Sequence, residues 1–138
     1  GMYYGESSEE LKKFNTRDGM GLQLLQEAGI KTGIITSENT KIVENRAKKL
    51  KVDYLVQGKR DGGKLAAAQD LCAQLNITLN EVAYIGDDVN CKELLSAVRV
   101  KACPADSMPS IIEIQGIHLM KKKGGEGCVR EFAEMILS

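Results

Sequence analysis

From about residue 17 onward, short apolar runs rich in β-branched residues alternate with stretches whose apolar positions recur at helical spacing. Residues 19–28 place Met20, Leu22, Leu24, Leu25 and Ala28 at such intervals and close on Gly29, which predicts a helix. The same reading predicts a buried strand over 30–36, a capped helix over 37–50 and a strand over 52–56. A helix over 63–75, a strand over 81–85 and a helix over 90–97 follow. A strand at 100–102, a short helix at 109–114, a strand at 117–120 and a helix at 128–137 complete the order. Regular β-α alternation with short connections predicts an α/β fold, a Rossmann-like parallel sheet with helices on both faces, in one domain over 1–138.

Residues 1–14 break the alternation. Met2-Tyr3-Tyr4 and Leu11-Lys12-Lys13-Phe14 flank the polar stretch 5–10, which predicts a β-hairpin. Its aromatic residues serve either an intersubunit contact or packing onto the body. The 138 residues carry 19 Lys+Arg against 19 Asp+Glu, so no net charge draws the chain to nucleic acid or an anionic membrane. No apolar run approaches the roughly 20 residues that span a bilayer. The four cysteines, Cys72, Cys91, Cys103 and Cys128, contain no C-x-x-C pair, which points to reduced thiols and a cytoplasmic location. Cys72 is expected in the core, and His118 is expected as a strand residue facing solvent or a satisfied partner rather than as a catalytic base.

Ligands of doubly wound sheets sit beyond the carboxyl ends of the strands, so the polar residues after each strand are the candidates. Thr36-Ser37-Glu38-Asn39 offers hydroxyls beside a helix start, suited either to a phosphate or to capping that helix. Gly86-Asp87-Asp88-Val89-Asn90 sets two adjacent carboxylates at a strand mouth, where they either hold a hard cation such as Mg²⁺ or answer a helix dipole. Lys59 to Lys64 is a basic loop in which Lys64 at a helix start opposes the dipole unless it meets an anion. Lys121-Lys122-Lys123-Gly124-Gly125-Glu126-Gly127, followed by Arg130, reads as a flexible basic loop able to close over an anionic ligand or simply to be solvated. Hydroxyl, lysine and paired carboxylates together describe Mg²⁺-assisted phosphoryl transfer, with no nucleophile in evidence.

These segments resemble the haloacid dehalogenase superfamily, and most closely its small cap-less phosphatases acting on 3-deoxy-D-manno-octulosonate 8-phosphate, related 9-phosphate sugar-acid phosphatases, and the phosphatase-like domain of some acylneuraminate cytidylyltransferases. The matching stretches include Phe14-Asn15-Thr16-Arg17-Asp18-Gly19, Ile34-Ile35-Thr36, Val52-Asp53-Tyr54-Leu55-Val56-Gln57-Gly58, Ala83 to Asn90 and Lys123 to Phe132. The resemblance implies that Thr36 binds the transferring phosphoryl group and Lys64 neutralises it. Asp87 would be a Mg²⁺ ligand supported by Asp88. It also implies a homotetramer with hairpins joined in an intersubunit barrel. The tail, with Gly124, Gly125 and Arg130, would read the sugar acid in a neighbour's site, with Ser37 beside the phosphoryl group.

Ser37 stands where the family has glycine, Gly62-Gly63 look inserted ahead of Lys64 and leave Lys59 as an alternative, and Cys91 replaces the last acid of the Gly-Asp-Asp-x-Asn-Asp pattern. The family's Asp-x-Asp-Gly strand, whose first aspartate is the nucleophile and second the general acid/base, would lie upstream of Met2-Tyr3-Tyr4 and is not among these 138 residues. Two expectations follow. These residues are inactive by the aspartyl route, or they form a non-catalytic assembly domain related to the cytidylyltransferases. With that central strand missing, the flanking strands are expected to pair directly or to take a strand from elsewhere.

Overall fold

The computed structural model describes residues 16–59, 63–87 and 89–138, with side chains from residue 19 onward. The expected hairpin over 1–14 lies outside the described residues, as do Gly62 and Asp88. Helix α1 (Thr16–Glu27) leads to β1 (Gly33–Ile35), α2 (Lys41–Leu50), β2 (Tyr54–Val56) and α3 (Gly63–Leu75). Strand β3 (Ala83–Ile85) precedes a 3₁₀ turn (Val89–Cys91) and α4 (Lys92–Ala97), then β4 (Val100–Cys103), α5 (Pro109–Ile112), β5 (His118–Leu119) and α6 (Cys128–Leu137). The alternation predicted from apolar spacing is therefore observed; the strands expected over 30–36, 52–56, 81–85 and 117–120 are shorter than predicted, and β4 runs one residue further, to Cys103.

Helix α2 shows how local sequence sets a boundary. It starts at Lys41 rather than residue 37 because Thr40 is the N-cap, its hydroxyl accepting from the Val43 N–H at 3.2 Å. It stops at Lys51, which adopts the left-handed conformation and donates its N–H back to Ala47 and Lys48.

All observed strand pairs are parallel. Gly33, Ile34 and Ile35 of β1 face Tyr54, Leu55 and Val56 of β2, and β4 lies between β3 and β5. Alternate strand residues feed opposite faces. Ile34, Ile85 and Ala102 pack with Leu22 of α1, Val43 and Ala47 of α2, and Phe132 of α6. Tyr84 and Cys103 pack on the other side with Ala68 of α3, Leu94 and Leu95 of α4, and Ile111 of α5. Ile34, Leu94, Leu95 and Ile111 are fully buried, each worth about 2–3 kcal/mol of transfer free energy. Cys72 is in the core and His118 is exposed, as their positions predicted.

Of the two repairs expected for the orphaned strands, direct pairing does not occur, and among the described residues no other strand joins them. Among the described residues, β1 pairs with β2 and β3 with β4, leaving a two-stranded and a three-stranded piece. The helix layer accommodates this arrangement. Helix α3 packs on β1 and on α4, and α4 packs on β3. Packed helix axes lie about 8–10 Å apart, about twice the 4.8 Å strand spacing, so helices seated on β1 and on β3 do not require those two strands to be neighbours in one ladder. Ile34 and Ile85, one from each piece, still share one apolar cluster.

Candidate functional site

Thr36 follows β1 directly and is 6% exposed. Its N–H donates to Val56 O at 3.0 Å, its carbonyl accepts from the Lys59 N–H at 3.1 Å, and its hydroxyl accepts from the Glu38 N–H at 3.0 Å. Gly58 N–H donates to Glu38 O and Thr40 N–H to Gln57 Oε1, each at 3.0 Å. The loops after β1 and β2 are thus laced together, and neither Thr36 nor half-buried Ser37 caps α2, a task left to Thr40.

Lys64 sits in the first turn of α3 and is 5% exposed, whereas Lys59 is in solvent. The Lys64 ammonium donates to Cys91 Sγ at 3.3 Å, and Tyr84 Oη lies 3.3 Å from the same sulfur. None of the ion pairs among the described residues involves Lys64. A desolvated cation at a helix N-terminus, with a sulfur for company, is electrostatically incomplete. An anion placed against it would complete it.

The loop after β3 joins this lysine to the carboxylate side. Gly86 packs so closely on Cys91 that a β-carbon there would stand 2.7 Å from Sγ, a distance only glycine avoids. Half-buried Asp87 comes next, and a β-carbon on Gly124 would lie 3.8 Å from both Asp87 Oδ2 and Asp106 Oδ1. The Gly124 N–H donates to Asp106 Oδ1 at 3.0 Å, so the glycine-rich loop is fastened over Asp87 of its own chain. At the foot of the loop, Glu131 accepts the N–H groups of Lys121 and Lys122 at 3.0 Å. Gly125 takes a φ of +77°, which favours glycine. The Cys103 thiol below is pushed above its usual value by burial, with a hydrogen bond from Ser107 opposing and the Asp87 charge reinforcing the shift.

The structure therefore brings Lys64 to the loop that carries Asp87, and Gly124 to Asp87 itself. Arg130 is placed elsewhere: its Nε pairs with Glu134 Oε1 at 2.7 Å, one turn along α6. Asp106 escaped the sequence reading. It lies three residues beyond the end of β4, so the strand-end rule applied to the loop after that strand would have found it.

Among the described residues no group of three or more His, Cys, Asp or Glu is arranged to hold a metal ion. Asp87 and Asp106 offer carboxylate oxygens, the donors of hard cations, and Mg²⁺ is typically held by one or two carboxylates with water and phosphate oxygens filling its shell. That donor set fits Mg²⁺. No described helix is long and apolar enough to cross a membrane.

Residues 16–97 match the model of the haloacid dehalogenase-like hydrolases. Over 136 residues the chain is 38% identical to the 3-deoxy-D-manno-octulosonate 8-phosphate phosphatase KdsC of Yersinia pestis, covering 99% of this chain and 71% of that protein. The crystal structure of the phosphatase of that name from Yersinia pestis superposes with a TM-score of 0.83 at 36% identity, over 89% of this chain and 65% of that one. The Moraxella catarrhalis 3-deoxy-D-manno-octulosonate 8-phosphate phosphatase, solved with magnesium, phosphate and KDO, gives 0.82 at 34% identity, over 88% of this chain and 68% of that one. The chain thus spans about two thirds of the length of the proteins it matches.

Proposed function

We propose, from the premise that this chain belongs to the haloacid dehalogenase-like hydrolases and within them to the 3-deoxy-D-manno-octulosonate 8-phosphate phosphatase group, that it serves Mg²⁺-dependent removal of phosphate from a phosphorylated sugar acid. The substrate is 3-deoxy-D-manno-octulosonate 8-phosphate or a related 9-phosphate nonulosonate. The observation that carries this reading is the buried Lys64 ammonium, which among the described residues has no ion pair and donates to the sulfur of Cys91. A phosphoryl group is the anion that this cation lacks.

Thr36 holds one phosphoryl oxygen by its hydroxyl and the neighbouring backbone, with Ser37 beside it. Lys64 neutralises the phosphoryl charge. Asp87 would hold the cation with Asp88 supporting it from the same loop, and the cation would offset charge on the phosphoryl oxygens. Gly124 and Gly125 let the loop backbone approach the ligand, and Arg130 contributes to the sugar acid's carboxylate from a neighbouring subunit of a homotetramer. The chain acts as one domain with a glycine-rich tail over 121–138, in the cytoplasm.

No Asp-x-Asp occurs within the 138 residues. Taken alone, they bind the phosphoryl group and do not turn it over by the aspartyl route. Titration of the 138-residue chain with inorganic phosphate in Mg²⁺ should show saturable binding that Thr36→Val and Lys64→Met each weaken at least about tenfold, the scale of a charge-assisted hydrogen bond. Binding indifferent to both substitutions would overturn the phosphoryl site. Phosphate release from 3-deoxy-D-manno-octulosonate 8-phosphate should appear only when a strand ending in Asp-x-Asp is joined upstream. Release by the 138 residues alone, lost on Asp87→Ala, would refute the claim of inactivity.

A further inference from the structure

We propose that Cys91 is the positioning residue for Lys64. Its sulfur, in place of a carboxylate, determines where the lysine ammonium points. The ligand in this account is the phosphoryl group of the reading above, but the contact itself stands on geometry. Lys64 is 5% exposed and Cys91 4% exposed, and the Nζ–Sγ distance is 3.3 Å. The same sulfur lies 3.3 Å from Tyr84 Oη, so one atom joins the first turn of α3 to β3 across the layer where helix meets sheet. Gly86 lets the sulfur settle there, because any β-carbon at that position would come within 2.8 Å of both Cys91 Sγ and Cβ.

The choice of sulfur has a chemical consequence. An ammonium carries three donors. One engages Cys91, leaving two for oxygens of an arriving anion. A carboxylate at position 91 would compete with that anion for the same charge, whereas a thiol directs the ammonium without cancelling it. A long flexible lysine side chain would otherwise lose its direction, since its four-carbon stem has many rotamers. Cys91 touches neither ligand nor metal in this account and acts through Lys64 alone.

The test uses the 138-residue chain with ¹⁵N-labelled lysine. The Lys64 ammonium resonance, identified by its disappearance in Lys64→Met, should be visible and slow to exchange in the parent chain. Cys91→Ala should abolish it, and Cys91→Ser, which restores an acceptor of similar shape, should bring it back. Inorganic phosphate affinity should fall about tenfold in Cys91→Ala and recover to within about threefold of the parent in Cys91→Ser. Should the alanine variant not fold, Cys91→Val refills the space with a group that accepts nothing and takes its place. An unchanged Lys64 resonance in Cys91→Ala or Cys91→Val overturns the proposal. So does phosphate affinity equal to the parent's in a variant whose resonance is lost. A parent chain that binds no phosphate refutes the phosphoryl reading, and the resonance then decides the role of Cys91 by itself.

Discussion

Lys64 illustrates how a single side chain can work against the fold that holds it. Burying an ammonium removes its hydration, and among the described residues it finds a sulfur rather than a carboxylate. Replacing a buried charged pair with apolar groups of similar volume is often neutral or stabilising by about 1–4 kcal/mol, and a lone buried ammonium carries the desolvation cost without the pair's attraction. Lys64→Met is therefore expected to raise the urea midpoint, by an amount equivalent to about 1 kcal/mol or more, while abolishing the response to phosphate. A lowered midpoint would mean that Lys64 already has its counter-charge. Added phosphate should stabilise the parent chain and leave the variant unmoved, because a ligand stabilises only the state that binds it.

Elements are held by close approaches that single residues permit. Helices α1 and α6 form the most extensive helix pair, and at their crossing a β-carbon on Gly21 would stand 2.8 Å from Arg130 Cα and 3.0 Å from Val129 O. Both obstacles are backbone and cannot swing aside. Gly21→Ala is expected to cost about 1–3 kcal/mol, read as a lower urea midpoint with the slope unchanged. No loss of stability would show that the two helices can slide apart freely.

At this scale much was legible in advance, for identifiable reasons. The apolar spacing of 63–75 and 128–137 located α3 and α6 to the residue, whereas α1, expected over 19–28, starts three residues earlier, at Thr16. Residues 37–40 misled because Thr36, Ser37 and Thr40 are all plausible caps, and only the tertiary lacing to Gln57 and Gly58 selects Thr40. Thr36, Lys64 and Asp87 were legible as polar residues at strand ends. The Lys64–Cys91 contact was not, since it joins residues 27 apart whose approach depends on the bare face of Gly86. Of the two repairs expected for the orphaned strands, direct pairing of β1 with β3 is not seen: each keeps its other neighbour, β2 and β4.

For the molecule as a whole, the buried thiols tie stability to alkaline pH. Cys72 and Cys103 both hold their protons above the usual value of 9.0, chiefly because burial disfavours the charged thiolate. In the unfolded chain those thiols ionise near their usual value. The folded form then retains more protons than the unfolded one, so stability is full below about pH 9 and declines as pH rises beyond it. Urea midpoints measured from about pH 8 to about pH 10 should fall through that range, and Cys72→Ala should make the decline shallower. A flat profile would refute the linkage.

The loop over Asp87 has an entropic meaning as well. Glu131 grips its foot at Lys121 and Lys122, and Asp106 grips its crown at Gly124. A segment tethered at two points has few conformations left to surrender, so most of its ordering is completed when the chain folds and not when a ligand arrives. A ligand that binds beneath the loop would meet backbone already ordered, so little further ordering would count against its binding.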